Sequence, residues 1–302
     1  MFGKIVIFGV GLIGGSFALG LKRAGVVASI VGIDRSPSAL ARALELGIID
    51  AVGDDLAAAM QGADLVLIAA PVAQTERILA ALLPHLQPGT VITDAGSTKT
   101  DVVAAARRAL GDKVAQFVPG HPIAGRESNG PDAAIVDLYV GKKTVLAPLP
   151  ENAPADVERV AKAWRDCGAI VHLLAAEEHD KVFAAVSHLP HLLAFALVDD
   201  IANKPHADLL FQYAASGFRD FTRIAGSSPE MWRDISLANQ PALLGELDAY
   251  LAQLTRMRAS LAAGDGAALE AVYANAQRAR RQWSEAIETA EAPPPPCDNP
   301  ET

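Results

Sequence analysis

The chain has 302 residues, 51% hydrophobic and only 5% aromatic, with a formal net charge of −9. That length accommodates one long domain or two modest ones, each with its own core built mainly from Ala, Leu, Val and Ile. The acidic balance excludes nucleic acid and anionic membranes as principal partners, and two cysteines, Cys167 and Cys297, make neither a disulfide framework nor a metal cluster, which points to a reducing cytoplasm.

The first element is an uncharged apolar run from Ile5 to Leu21. Behind a lysine at the N-terminus it resembles a secretory signal or a marginal membrane span. Its glycines argue for a strand, Lys4–Phe8, then a tight turn, then a helix. Gly9-Val10-Gly11-Leu12-Ile13-Gly14 at that junction has the form of a dinucleotide-binding turn: Gly9 for the bend, Gly11 for close approach of a pyrophosphate, Gly14 for helix–strand packing. The helix start presents Leu12 and Ile13 with free N–H groups and a positive dipole end.

A second strand, Ser29–Ile33, ends at Asp34, 20 residues after Gly14, where a carboxylate accepts hydrogen bonds from the adenosine ribose and favours NAD over NADP. The bland alternative is that Asp34 only caps the next helix. Arg35 beside it can pair with a 2′-phosphate, so the sequence leaves NADP open.

Further strands are predicted at Leu65–Ala69, Val91–Asp94, Gln116–Pro119, Thr144–Ala147 and Ile170–Leu173, alternating with helices as in a parallel α/β sheet. From about Glu177 onward only helical periodicity remains, and no later segment reads as apolar and long enough to span a bilayer. The expected organisation is a Rossmann-type NAD(P)-binding domain over 1–175, an all-helical domain over 176–290 and a Pro-rich, disordered tail over 291–302.

In such sheets chemistry sits beyond the carboxyl ends of the strands. Ala70 and Pro71 follow one strand and are placed to line the cofactor. Ser97, in Ala95-Gly96-Ser97-Thr98-Lys99, is either a hydrogen-bonding hydroxyl at the site or a helix N-cap. His121, between Gly120 and Pro122 on the loop leaving the next strand, has a pKa suited to proton abstraction and is the strongest catalytic candidate.

In the helical half, His188 and His191 flank Pro190, and structural, substrate and metal roles all stay open, although no further ligand completes a metal set. Arg219 and Arg223 fall on one helix face. The alternatives are a solvated basic face or, given neighbouring Phe218, Phe221 and Ile224, partly buried cations that hold an anionic group. Trp232 is either core or pocket wall.

Together GVGLIGGS, DAGSTKT, GHPIAGRE, SHLPH, GFRDFTRIA and SPEMWRDI, in this order from Gly9 to Ile235, resemble the prephenate/arogenate (cyclohexadienyl) dehydrogenase family over nearly the whole chain. The family oxidises prephenate or arogenate with NAD(P)+, releasing CO2 and leaving 4-hydroxyphenylpyruvate or tyrosine. The resemblance implies that His121 takes the proton of the ring hydroxyl and that Ser97 bonds that hydroxyl or the histidine. It places Glu127 in the pocket, Arg223 on the ring carboxylate, His191 at the substrate's side chain and Trp232 close by, supplied by either subunit of a homodimer. His191, able to carry charge, favours the pyruvyl end of prephenate, or dual use. Arg126 departs from the small polar residue of many relatives. With no regulatory domain following, any inhibition by tyrosine is expected at the active site.

Competing readings are a β-hydroxyacid or pyrroline-carboxylate reductase type of dehydrogenase, weakened because Lys181 lacks a glycine-rich setting, and a non-catalytic NAD-binding protein.

Overall fold

A computed structural model describes residues 1–126 and 128–291, and the chain divides into two compact units, one over Met1–Glu246 and one beginning at Leu247. Six parallel strands lie in the order β3-β2-β1-β4-β5-β6: β1 (Phe2–Phe8), β2 (Val27–Ile33), β3 (Ala51–Val52), β4 (Leu65–Ile68), β5 (Val91–Asp94) and β6 (Phe117–Val118). Helices α1 (Leu12–Ala24), α2 (Pro37–Glu45), α3 (Leu56–Met60), α4 (Thr75–Leu82) and α5 (Thr100–Leu110) connect them.

The period-two alternation of β1 explains why both faces are covered. Ile5 and Ile7 join Leu65, Leu67 and Val91 in one core against Phe17, Leu21 and Trp164. Val6 and Phe8 join Val66, Ile68 and Ile92 in the other, against Leu79, Leu82, Val102 and Ala106. Residues that are apolar at every position suit a parallel strand buried on both sides. The N-terminal apolar run is therefore a central strand and its helix, not a signal or a span: β1 pairs with β2 on one side and β4 on the other.

The sheet half departs from a single parallel sheet in one respect. A second, three-stranded sheet holds β7 (Gly120–Pro122), β8 (Lys143–Leu146) and β9 (Ile170–Leu173), with β7 antiparallel to β8. His121 thus lies on a short strand opposite Val145 and not on a free loop after β6. The stretch Gly120-His121-Pro122 gives no sequence signal for a strand, because three residues ending in proline carry no alternation to read. Helix α6 (Pro154–Asp166) precedes β9, and Cys167, at its C-cap, is buried with its Sγ toward Phe17 O.

Beyond β9 the described residues are helical. Helix α7 (Ala176–Phe183) runs through a π-helical turn, Ala184–His188, into α8 (Leu189–Ala202). Pro190 near the start of α8 lacks an N–H, which agrees with a local widening of the ladder just before it.

Because the turn joins the two pieces, Ala176–Ala202 is 27 residues with a window of mean hydropathy 1.6, long and apolar enough to cross a membrane by length and composition. This corrects the expectation that no later segment qualifies. His188, Pro190 and His191 interrupt the apolar pattern in the sequence, whereas the backbone continues through them. The helix is nevertheless docked on protein through its first turns, where His179 bonds His121 and Asp180 accepts from Lys99 N.

The first unit continues with α9 (Ala207–Gln212), α10 (Ser216–Thr222), a tight turn at Arg223–Gly226, and α11 (Pro229–Ala238), whose start is capped by Ser228 Oγ accepting from Met231 N. Helix α12 (Gln240–Ala262) follows, and α13 (Gly266–Glu291) lies in the second unit. Cys297 and residues 292–302 of the predicted tail lie outside the described residues.

Candidate active site

The crevice at the carboxyl edge of β2, β1 and β4 is built from main chain. Gly9 has φ of +90°, and a Cβ there would come within 2.5 Å of Ala69 O, so the turn closes against the end of β4 only with glycine. A Cβ on Gly14 would collide with Gly9 O, with Ile7 Cγ2 at 2.9 Å, which is why α1 can sit directly on β1. Gly11 differs: a Cβ there meets nothing nearer than Gly130 N at 3.8 Å, so open space lies over the uncapped start of α1. That space at a helix N-terminus fits a pyrophosphate.

Asp34 anchors the turn, its Oδ2 accepting from Val10 N at 3.2 Å and its Oδ1 from Ser36 N at 3.0 Å. Ser36, not Asp34, caps α2 by accepting from Ala39 N at 3.2 Å. Exposed Arg35 faces Gln74, which accepts from both guanidinium nitrogens at 3.0 and 3.1 Å once its amide oxygen is turned that way. Ala70 and Pro71, half-buried, follow β4 alongside.

Next to this crevice stands a network of side chains. His121 is only 9% exposed, and its Nδ1 lies 2.8 Å from His179 Nε2. His179 Nδ1 lies 2.8 Å from Asp180 Oδ1. The same carboxylate accepts from Lys99 N and Thr100 N, each at 2.8 Å, and so caps α5 from a distant part of the chain. Phe183 packs on both imidazoles, with ring centroids 4.8 Å from His121 and 4.4 Å from His179.

Below them Lys99, fully buried, pairs with Asp94, whose Oδ1 also accepts from Gly120 N at 2.9 Å and Oδ2 from Gly96 N at 2.8 Å. One carboxylate thereby ties the end of β5 to the start of β7. On the other side, Asn239 Nδ2 donates to Asp180 O at 2.8 Å and reaches His188 Nδ1 at 3.0 Å. His191 Nδ1 donates to Ser187 O at 2.8 Å, and its ring stacks on Trp232 at 3.6 Å and 18°.

Burial governs the protonation of this row. It pushes His121 well below the ordinary histidine value of 6.5, helped by His179, Lys99 and His188. His188 is lowered to about 4 by burial. His179 is lowered by burial against the pull of Asp180. For Asp180, burial alone would raise the carboxyl, but hydrogen bonds from His179, Thr100 and Lys99 outweigh it and hold the group ionised. The arrangement is a neutral imidazole with one nitrogen bound and the other unbonded among the described residues, beside a dinucleotide crevice. It suits abstraction of a proton from a substrate being oxidised.

Residues 17–173 match the family described as prephenate dehydrogenase, nucleotide-binding domain, and residues 175–274 match prephenate dehydrogenase, dimerization domain. The chain belongs to the prephenate dehydrogenase family. It is 36% identical to a cyclohexadienyl dehydrogenase of Zymomonas mobilis over 93% of this chain and 96% of that one. Among solved structures it resembles prephenate dehydrogenase from A. aeolicus in complex with hydroxyphenyl propionate and NAD+, with TM-score 0.87, 36% identity and coverage of 93% and 98% of the two chains. Synechocystis arogenate dehydrogenase matches with TM-score 0.77, 30% identity and coverage of 93% and 99%.

Within this family member the structure assembles some predicted residues and separates others. Gly9, Gly11, Leu12, Ile13, Gly14, Asp34, Ala70 and Pro71 share one crevice edge. Ser97 is half-buried with its main chain beside His188, and it neither bonds His121 nor caps α5, because the helix begins three residues later and Asp180 supplies the cap. Arg219 lies in α10, which ends at Thr222, and Arg223 opens the short 3-10 turn that follows directly, so the pair spans two helical elements and not one regular helix.

Both arginines are exposed, against the expectation of partial burial, because Phe221 between them is itself 48% exposed and gives them no cover. Arg223 lies near enough to His191 to help lower its pKa, after burial. Glu127 lies outside the described residues. His191 and Trp232 meet within one chain.

Sequence reasoning missed Asp94, Lys99, His179, Asp180 and Asn239. The available signals were an acid ending β5 with a lysine five residues on, and a His-Asp pair in the first helix after β9.

Proposed function

We propose that this enzyme, an NAD(P)-dependent dehydrogenase of the prephenate dehydrogenase family, carries out its oxidative decarboxylation with His121 as base. The observation that supports this is the buried, neutral His121 with Nδ1 engaged by His179 and Nε2 unbonded among the described residues. His121 Nε2 accepts the proton of the ring hydroxyl as the carbon bearing it loses hydride, and the hydroxyl becomes a carbonyl. Loss of the ring carboxylate as CO2 then makes the ring aromatic, which renders the step effectively irreversible.

Arg223 holds the departing carboxylate and His191, stacked on Trp232, faces the substrate's side chain. Because that charge leaves with CO2, Arg223 contributes to binding more than to the chemical step. Bound NAD+ would supply the hydride acceptor. The open space over Gly11 and the anchored Asp34 carboxylate fit it, and Arg35, directed at Gln74, is not held for a 2′-phosphate.

His191 is lowered by burial, so a charge on it does not select between a keto and an ammonium group. This supports a site open to both prephenate and arogenate. Exposed Leu209, Phe211, Tyr213 and Phe221 on the helical half support a homodimer.

Reduced-cofactor absorbance, followed with each substrate paired with each cofactor, tests this reading. His121→Asn should lower kcat by roughly 10²- to 10⁴-fold with KM little changed. Because the base must be unprotonated and its pKa lies below 6.5, kcat/KM should stay level through neutral pH and fall only as the solution becomes more acidic than that. A His121→Asn enzyme with wild-type kcat would end the proposal.

A further inference from the structure

A neutral imidazole is useful as a base only if the proton sits on the ring nitrogen that faces away from substrate. Here the hydrogen-bond chain decides which nitrogen that is. Asp180 receives two main-chain N–H groups at the start of α5, a position whose dipole also favours an anion, and an ionised carboxylate can only accept. His179 Nδ1, 2.8 Å from Asp180 Oδ1, must therefore carry hydrogen. Being neutral, His179 then has a bare Nε2 that can only accept, and its partner at 2.8 Å is His121 Nδ1. His121 Nδ1 must donate, which leaves its Nε2 bare.

We propose that His179 and Asp180 are positioning residues that hold His121 in the Nδ1–H tautomer, so that the nitrogen presented to substrate is always the basic one. This rests on the reading of His121 as base. Phe183, against both rings, limits their rotation. The main-chain bonds from Lys99 and Thr100 make the orientation a property of the sheet half, although the relay residues belong to the helical one.

The test is Asp180→Asn in the full chain. With its NH2 in the place of Oδ1 the amide donates to His179 Nδ1 and reverses the relay, while its oxygen, in the place of Oδ2, still accepts from Thr100 N and only the bond from Lys99 N is given up. His121 Nε2 would then carry hydrogen. The expected result is a fall in kcat of about 10²-fold or more, with substrate and cofactor KM within about threefold of wild type. Ring-nitrogen NMR of labelled enzyme should show His121 protonated at Nδ1 in the wild type and at Nε2 in the variant.

A purely structural role would lower thermal stability without exchanging the tautomers. Wild-type enzyme with hydrogen on His121 Nε2 overturns the proposal, and this measurement stands even if the variant does not fold. Asp180→Asn with full kcat, beside an inactive His121→Asn, overturns the relay and leaves the base intact. Activity in His121→Asn removes the base itself.

Discussion

The glycine turn and the histidine row lie side by side in the same unit, yet they are made of different material. The turn is main chain: its shape follows from residues within a few positions of one another, and Asp34 joins it by a bond to Val10 N. The row is side chain, drawn from Asp94, Lys99, His121, His179, Asp180, His188 and Asn239 across 145 positions, from 94 to 239. A site made of local backbone announces itself in a motif. A site made of long-range hydrogen bonds does not, because each member by itself has a commonplace explanation.

Three substitutions sharpen that contrast. The largest effect is expected on the side-chain network, where Lys99→Met would leave Asp94 buried without its cation. Breaking one partner of a buried pair costs about 3–5 kcal/mol, and the loss should appear in thermal or denaturant unfolding. Adding Asp94→Asn to the same chain should recover part of it. If Lys99→Met unfolds no more easily than the wild type, the row is looser than its geometry indicates.

Next comes Gly14→Ala on the backbone side. The added methyl meets Gly9 O, Ile7 and Ala69, so α1 must lift from β1 at about 1–3 kcal/mol. Titration with NAD+ should show weakened binding, while the pH profile of residual turnover keeps its shape, since the histidines are untouched. A changed pH profile would mean that the two regions are coupled more tightly than their separate construction suggests.

The smallest effect belongs to Arg223→Ala. If Arg223 holds the ring carboxylate as proposed, a rise in substrate KM of roughly tenfold, about 1.4 kcal/mol, is expected with kcat retained. A large kcat loss at unchanged KM would place the arginine among the reacting groups.

Much of the frame was legible beforehand for identifiable reasons. Ile5–Phe8, Leu65–Ile68 and Val91–Asp94 read as buried parallel strands because every position is covered, and Gly9 to Gly14 read as a cofactor turn because glycine spacing has a steric cause. His121 was legible as a candidate because Gly120 and Pro122 restrict the chain around it. Its short strand was not, since a three-residue pairing with β8 has no periodicity. Of the two roles open to Ser97 in the sequence, the cap falls to Asp180, which lies 80 positions from Thr100 and so leaves no local signal.

What the amino-acid order determined unaided was therefore the doubly covered sheet, the dinucleotide turn and the change to helix after β9, since period, glycine geometry and burial act over a few residues. Only the tertiary structure decided that Asp180 reaches α5, that His179 stands between that carboxylate and His121, and that His188 and His191 turn to different partners. Those outcomes depend on hydrogen bonds between segments that meet only after folding, and directional bonds between distant donors and acceptors leave no local trace in a chain.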